Sequence, residues 1–210
     1  MTPANEPETD QEAFWRGSFG DEYTHRNVSA DQVRSNLSFF SRMLRRAPRV
    51  RTIVELGCNR GLNLQALHAL DPAIRLSAYE INEAAAGAAA KLAIAQIHCQ
   101  SILELDLDRI APSDLSFTKG VLIHIDPDKL GRAYEALYKL SNRYIAVCEY
   151  YNPTPTMVPY RGTTSTLFKR DFAGDLIDRF DLALVDYGFI YHRDNYFPLD
   201  DCTWFLLEKR

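Results

Sequence analysis

The chain has 210 residues, 46% hydrophobic and 25% charged, with a formal net charge of −4. That length suits one large domain with an ample core. The acidic balance argues against sequence-independent nucleic-acid binding, which needs Lys and Arg on phosphates.

In chain order, residues 1–12 are polar and are expected to be a disordered tail. They carry no basic start and no apolar stretch of the secretory-leader kind, so no such leader is expected. No apolar run approaches the length of a membrane span, so no membrane partner is expected. Residues 13–48 read as an N-terminal cap. Phe14, Trp15, Phe19 and Tyr23 sit among Gly17, Gly20, Asp21 and Glu22, and could form a lid that includes Tyr23 over a ligand. Val33, Leu37, Phe40 and Leu44 recur at helical spacing, which predicts a helix over Ser29–Arg46 with Ser29 as N-cap.

Residues 49–210 carry an α/β alternation. Strands are predicted at Ile53–Gly57, Ile74–Ile81, Ile94–His98, Leu115–Lys119 and Tyr144–Tyr150. Helices are predicted over Gly61–Leu70, from Asn82 to about Leu92, and from Asp126–Pro127 with Asp as N-cap and Pro at the first helical position. Asn152–Ser165, with three prolines, reads as a long irregular loop. Phe168–Phe180 reads as a helix. Leu182–Ile190 and Thr203–Glu208 read as two closing strands, plausibly an antiparallel pair. Five strand-then-helix steps ending in such a pair match a three-layer Rossmann-like α/β fold. Its sheet has seven strands, mostly parallel, with an antiparallel last strand.

Glu55-Leu56-Gly57-Cys58-Asn59-Arg60-Gly61 carries the most chemistry. It joins a strand to a helix, and Glu80 ends the next strand nineteen positions after Gly61. Glycines there admit a ligand where a Cβ would collide, and an acid at Glu80 can accept a ribose diol. Gly57 and Gly61 stand four apart with Asn59 between them. That departs from the dinucleotide Gly-x-Gly-x-x-Gly spacing. It fits the acidic-x-Gly-x-Gly-x-Gly loop of S-adenosylmethionine enzymes with Asn59 in one glycine's place, since Asn tolerates left-handed backbone angles. Ile81 is placed to rest on an adenine face. Ser101 and Ile102 follow the third strand, where S-adenosylmethionine enzymes of the kind this loop resembles often place an acid for the adenine amino group; Ile102 could pack on the ring while Ser101 or backbone supplies hydrogen bonds. Lys119 ends the fourth strand beside the expected methyl position.

Phe14-Trp15-x-Gly17-x-Phe19-Gly20-Asp21-Glu22-Tyr23, the Glu55–Gly61 loop, Phe117–Ile125, Glu149–Pro155, Tyr160-Arg161-Gly162, Lys169–Phe172, Asp186–Phe189 and Tyr191–Asp194 extend the pattern over most of the chain. With these motifs the chain resembles a class I S-adenosylmethionine-dependent methyltransferase, and more narrowly the pseudaminic acid biosynthesis-associated methylases. The resemblance implies methyl transfer from S-adenosyl-L-methionine to a small sugar-type acceptor, at oxygen or nitrogen, in a bacterial surface-sugar pathway; the cysteines, read as reduced thiols, add the expectation of a cytoplasmic protein.

Base candidates are His124, Glu149 and His192. Tyr150, Asn152, Tyr160 and Arg161 follow strand five and are candidates for the acceptor, with Arg161 suited to clamping a carboxylate. Cys58, Cys99, Cys148 and Cys202 show no paired spacing, so neither disulfides nor a metal site is expected. Rival classes are a methyltransferase acting on nucleic acid or protein, a non-catalytic binding module, and a nicotinamide oxidoreductase. Asn152-Pro153-Thr154-Pro155 superficially resembles the motif of amino-group DNA methyltransferases, but it stands after strand five rather than strand four.

Overall fold

A computed structural model describes residues 8–26, 30–159 and 166–210. Seven strands form one sheet: β1 (Thr52–Leu56), β2 (Arg75–Glu80), β3 (Gln96–Cys99), β4 (Ser113–Lys119), β5 (Ser141–Glu149), β8 (Leu182–Ile190) and β9 (Cys202–Lys209). Their spatial order is β3-β2-β1-β4-β5-β9-β8. The pairings among β1 to β5 are parallel, and β9 runs antiparallel to both β5 and β8. The expected sheet is therefore present, with the antiparallel strand last in sequence.

Helices α4 (Leu62–Leu70), α5 (Glu83–Ala90), α6 (Leu130–Lys139) and α7 (Phe172–Phe180) cover the faces, together with α3 (Ala30–Leu44). Both faces are buried, so the strands alternate between two cores rather than between core and water. On β5, Tyr144, Ala146 and Cys148 join a core with Phe40, Met43, Leu67 and Trp204. Ile145 and Val147 point the other way, into a core with Leu56, Leu137, Leu176 and Leu207. Glu55 is the exception on β1, a carboxyl in a fully buried strand position.

The structure differs from the sequence expectations in four places. Order reaches back into the expected tail: α1 (Asp10–Arg16) begins inside residues 1–12, held by a capping box in which the Thr9 and Glu12 side chains each accept from the other's backbone. α2 (Ser18–Arg26) then turns back on it. Gly20 permits that turn, because a Cβ there would overlap the Trp15 carbonyl oxygen. The loop after β5 contains β6 (Thr156–Pro159), which pairs antiparallel with β7 (Thr166–Lys169). Phe168 therefore belongs to a strand, and α7 starts at Phe172, where the Asp171 carboxylate accepts from Gly174 N at 2.8 Å. Asp126 does not cap α6. Its carboxylate closes a turn on Asp128 N, and the helix begins at Leu130. Ser29, the expected N-cap of α3, lies outside the described residues.

Strand order reverses between β1 and β4, and the carboxyl ends of strands at such a switch form a crevice. The loops after β1, β2, β3 and β4 all open onto it.

Candidate cofactor and acceptor site

The crevice is a cavity of about 430 Å³ roofed by the N-terminal cap. Its floor is the loop after β1. Gly57 (φ +83°), Asn59 (φ +46°) and Gly61 (φ +78°) are all left-handed, so Asn59 does adopt the conformation its identity permits. A Cβ on Gly57 would lie 2.5 Å from Val121 Cγ2, which seals the loop after β4 against the loop after β1. Gly61 is the N-cap of α4 and packs on Leu92 rather than lining the cavity.

Two carboxyls organise the floor. Glu80, at the end of β2, accepts from Asn59 N (2.6 Å) and Asn82 N (2.9 Å), one on each oxygen. It fixes the loops after β1 and β2 relative to each other and still lines the cavity. Its burial raises its carboxyl above the usual range, partly offset by those N–H groups. Glu55 lies behind the loop. It is fully buried, does not line the cavity, and accepts from Asn63 Nδ2 at 2.6 Å. Between Glu55 and the cavity stands Asn63, in the first turn of α4, whose side chain is the one that lines the cavity.

Burial pushes the Glu55 carboxyl up to about 8. A carboxyl whose folded value exceeds its unfolded value holds a proton that the unfolded chain has lost. Stability is then lost as pH rises from the ordinary carboxylate range toward 8. Thermal unfolding of the ligand-free protein from pH 5 to 8 is expected to show that decline, and Glu55→Gln is expected to lessen it, leaving the part that the buried Glu149 and Glu80 carboxyls contribute. An unchanged slope in the variant would remove Glu55 as its source.

The roof is tied down by named contacts. Asn82 Nδ2 donates to Asp21 Oδ1 (2.9 Å) and to the Trp15 carbonyl (3.3 Å). Arg60 Nη1 donates to the Thr24 carbonyl at 3.1 Å. Tyr23 lines the cavity and meets Trp15 edge-on at 5.2 Å. Trp15 also packs on His124, with ring centroids 4.4 Å apart.

Ile81, Ser101, Ile102 and Lys119 all line the cavity. Ser101 Oγ donates to Glu12 Oε1 at 2.5 Å, a contact between residues 89 positions apart.

The base candidates separate. His124 lines the cavity beneath Trp15, but burial pushes its imidazole down to about 3, so it is a poor proton acceptor there. Glu149 does not line the cavity. Its Oε1 accepts from Val121 N and Leu122 N at the 3₁₀ turn Leu122–His124, and burial pushes it up to about 7. It holds the loop after β4 in place. His192, in the turn between β8 and β9, does line the cavity. Its Nδ1 lies 2.8 Å from both Asp201 oxygens, and its backbone N donates to the same carboxylate. A carboxylate only accepts, so the shared proton sits on Nδ1 and the lone pair is left on Nε2.

Two expected acceptor contacts do not reach the cavity. Tyr150 lies beneath the Lys169 ammonium, 5.2 Å from its ring centroid, and Asn152 Nδ2 ties its own loop through Thr154 O and Thr156 Oγ1. Tyr160 and Arg161 lie outside the described residues. The structure supplies a different wall. Gln32 and Asn36, one turn apart on α3, line the cavity, and Gln32 Oε1 and Asn36 Oδ1 are buried without a hydrogen-bond partner among the described residues. The available sequence signal for them was a polar cluster, Gln32, Ser35 and Asn36, on the helix face that continues into Phe39, Phe40 and Met43.

Among the described residues, no group of three or more His, Cys, Asp or Glu side chains could hold a metal ion, and no helix is long and apolar enough to cross a membrane. The cysteines are free thiols.

The fold is that of the class I S-adenosylmethionine-dependent methyltransferases. Among solved structures, the chain is similar to magnesium protoporphyrin IX methyltransferase from Synechocystis PCC 6803 with bound SAM. The two share 12% identity, 98% of this chain and 100% of that chain are covered, and the TM-score is 0.67. It is likewise similar to Burkholderia thailandensis 1,6-didemethyltoxoflavin-N1-methyltransferase with bound S-adenosylhomocysteine, at 15% identity, 99% and 93% coverage and TM-score 0.71. An S-adenosylmethionine-dependent methyltransferase from Clostridium acetobutylicum aligns at 10% identity, 91% and 99% coverage and TM-score 0.61. No protein-family model and no curated protein matches the chain.

Proposed function

We propose that the protein transfers a methyl group from S-adenosyl-L-methionine to a small, hydroxyl- or amide-bearing acceptor. The observation that carries this is the left-handed Gly57–Asn59–Gly61 floor locked to the Glu80 carboxylate at the switch of the sheet. Solved structures of the same fold, holding this cofactor or its demethylated product, support it. Glu80 would receive the ribose hydroxyls, Ile81 and Ile102 would flank the adenine, and Asn63 and the backbone of the floor would meet the amino-acid end. The bound cofactor supplies an electrophilic methyl. The chain's part is to position the acceptor and exclude water.

The acceptor side favours a polyhydroxylated molecule. The orphaned oxygens of Gln32 and Asn36 need donors, which hydroxyl or amide groups provide. Lys119 lines the same cavity and suits an acidic acceptor. A nonulosonic-acid-type sugar or precursor combines these groups. The motif resemblance to the pseudaminic acid biosynthesis-associated methylases points the same way, within a cytoplasmic glycan pathway. His192, oriented by Asp201, is the base that would take the acceptor proton.

Isotopically methyl-labelled S-adenosylmethionine, incubated with the protein and a bacterial sugar-nucleotide extract, tests this. Label in an acidic sugar is the expected result. Label in nucleic acid or protein would reverse the acceptor class, and cofactor binding without turnover would favour a non-catalytic module.

A further inference from the structure

We infer that Glu12, on the N-terminal helix, is the carboxylate that selects the cofactor's adenine, in place of an acid after β3. This rests on the S-adenosylmethionine reading above.

The end of the cavity next to β3 is lined by Ile81, Ile102 and Leu103, with Glu12 and Ser101 as polar groups. A flat apolar ring with polar edges fits that lining. β3 is followed by Ser101, whose hydroxyl cannot supply a charged acceptor. The structure brings one from elsewhere. Glu12 is 8% exposed and Ser101 2% exposed, so the pair is set in the wall rather than on the surface.

The hydrogen bonds determine which ligand edge the pair accepts. Glu12 Oε2 is occupied by the Thr9 N–H and hydroxyl, both at 3.1 Å. Glu12 Oε1 receives the Ser101 hydroxyl proton at 2.5 Å, and Ser101 Oγ accepts from Leu103 N at 3.2 Å. With its proton committed to Glu12, Ser101 has none left for a ligand. Glu12 Oε1 keeps a lone pair beyond the one that accepts from Ser101, and no donor among the described residues fills it. A ligand edge set against the Glu12–Ser101 pair is therefore matched when it donates. The 6-amino group of adenine does so, whereas the 6-oxo group of hypoxanthine would set oxygen against oxygen. A site built to pair a ligand N–H rejects an analogue that lacks it far more strongly than an apolar pocket rejects a size change.

Glu12 also couples recognition to the roof. The side chain that would meet the base is the one that closes the capping box of α1, so docking of the cap and formation of the adenine site are one event.

The test is calorimetric. Wild type is titrated with S-adenosylhomocysteine and with its 6-oxo counterpart, S-inosylhomocysteine. The same titrations are run on Glu12→Gln and on Asp21→Ala, which loosens the roof away from the base. Gln preserves the capping box, so α1 is retained. Wild type is expected to prefer the adenosyl ligand at least a hundredfold. Glu12→Gln is expected to shrink that ratio at least tenfold, because its amide can donate to the 6-oxo group. Asp21→Ala is expected to weaken both ligands together and keep the ratio. A wild-type ratio in Glu12→Gln, or a parallel loss of both affinities there, overturns the role of Glu12 while leaving the cofactor assignment intact. Wild type that binds neither ligand overturns the cofactor assignment and this inference with it.

Discussion

Glu80→Ala is expected to weaken S-adenosylhomocysteine binding by at least about a hundredfold. The carboxylate holds two backbone N–H groups, from Asn59 and Asn82, and these belong to the two loops that would flank a nucleoside. Hydrogen bonds to a charged group contribute about 1.5–3 kcal/mol each, and a buried donor left unpaired costs about 1–3 kcal/mol. Removing Glu80 would therefore forfeit the proposed ribose contact and release the floor that shapes the rest of the site. Glu80→Gln separates these effects. Its single oxygen can still accept one N–H, but its NH₂ group faces the other donor, so an intermediate loss of about tenfold is expected. Calorimetry with all three proteins, alongside their thermal unfolding, reads the outcome. Affinity within threefold of wild type in Glu80→Ala would show that the ligand does not use this carboxylate.

What was legible in the sequence is what depends on local stereochemistry. Asn59 could be assigned a left-handed role because that preference belongs to the residue itself, and its φ of +46° agrees. The succession of strands along the chain and the placement of Glu80 at the end of one followed from the alternation of apolar runs with glycine and proline breaks. The errors concern where side chains at well-placed positions turn. Glu149 does end β5, yet its carboxylate turns to the N–H groups of the 3₁₀ turn after β4. Glu55 does begin the loop, yet Asn63 stands between it and the cavity. Both are cases of a buried acid satisfying backbone or amide donors before any ligand arrives.

Long-range pairings were the other gap. Glu12 meets Ser101 across 89 positions, and Asn82 reaches the Trp15 carbonyl across 67. Nothing in either local stretch announces the partner. These contacts make the N-terminal cap part of the site rather than an appendage. The cap supplies Glu12 at one end of the cavity, Trp15 over His124, and Tyr23 in the wall, while α3 supplies Gln32 and Asn36. A truncation that removed the polar N-terminal stretch as a dispensable tail would therefore remove a wall of the cavity.

The proposed proton acceptor, His192, is favoured over His124 by comparing the two histidines. His124 sits under Trp15 with its imidazole pushed down to about 3, so it gains little by taking a proton from a hydroxyl or an ammonium. His192 has its Nδ1 proton directed at Asp201, which fixes the ring and leaves Nε2 as the acceptor. General-base catalysis contributes about 10²–10⁴-fold. His192→Ala is therefore expected to lower turnover of the labelled acceptor by about that factor, with S-adenosylhomocysteine affinity unchanged. Asp201→Asn is expected to give a smaller loss, because its amide can orient the ring in either sense and so spoils the tautomer. His124→Ala is expected to act through the Trp15 contact, lowering thermal stability more than the rate at saturating cofactor. Full turnover in His192→Ala, with loss confined to His124→Ala, would move the base beneath the roof and require Trp15 to lift before the acceptor could be deprotonated.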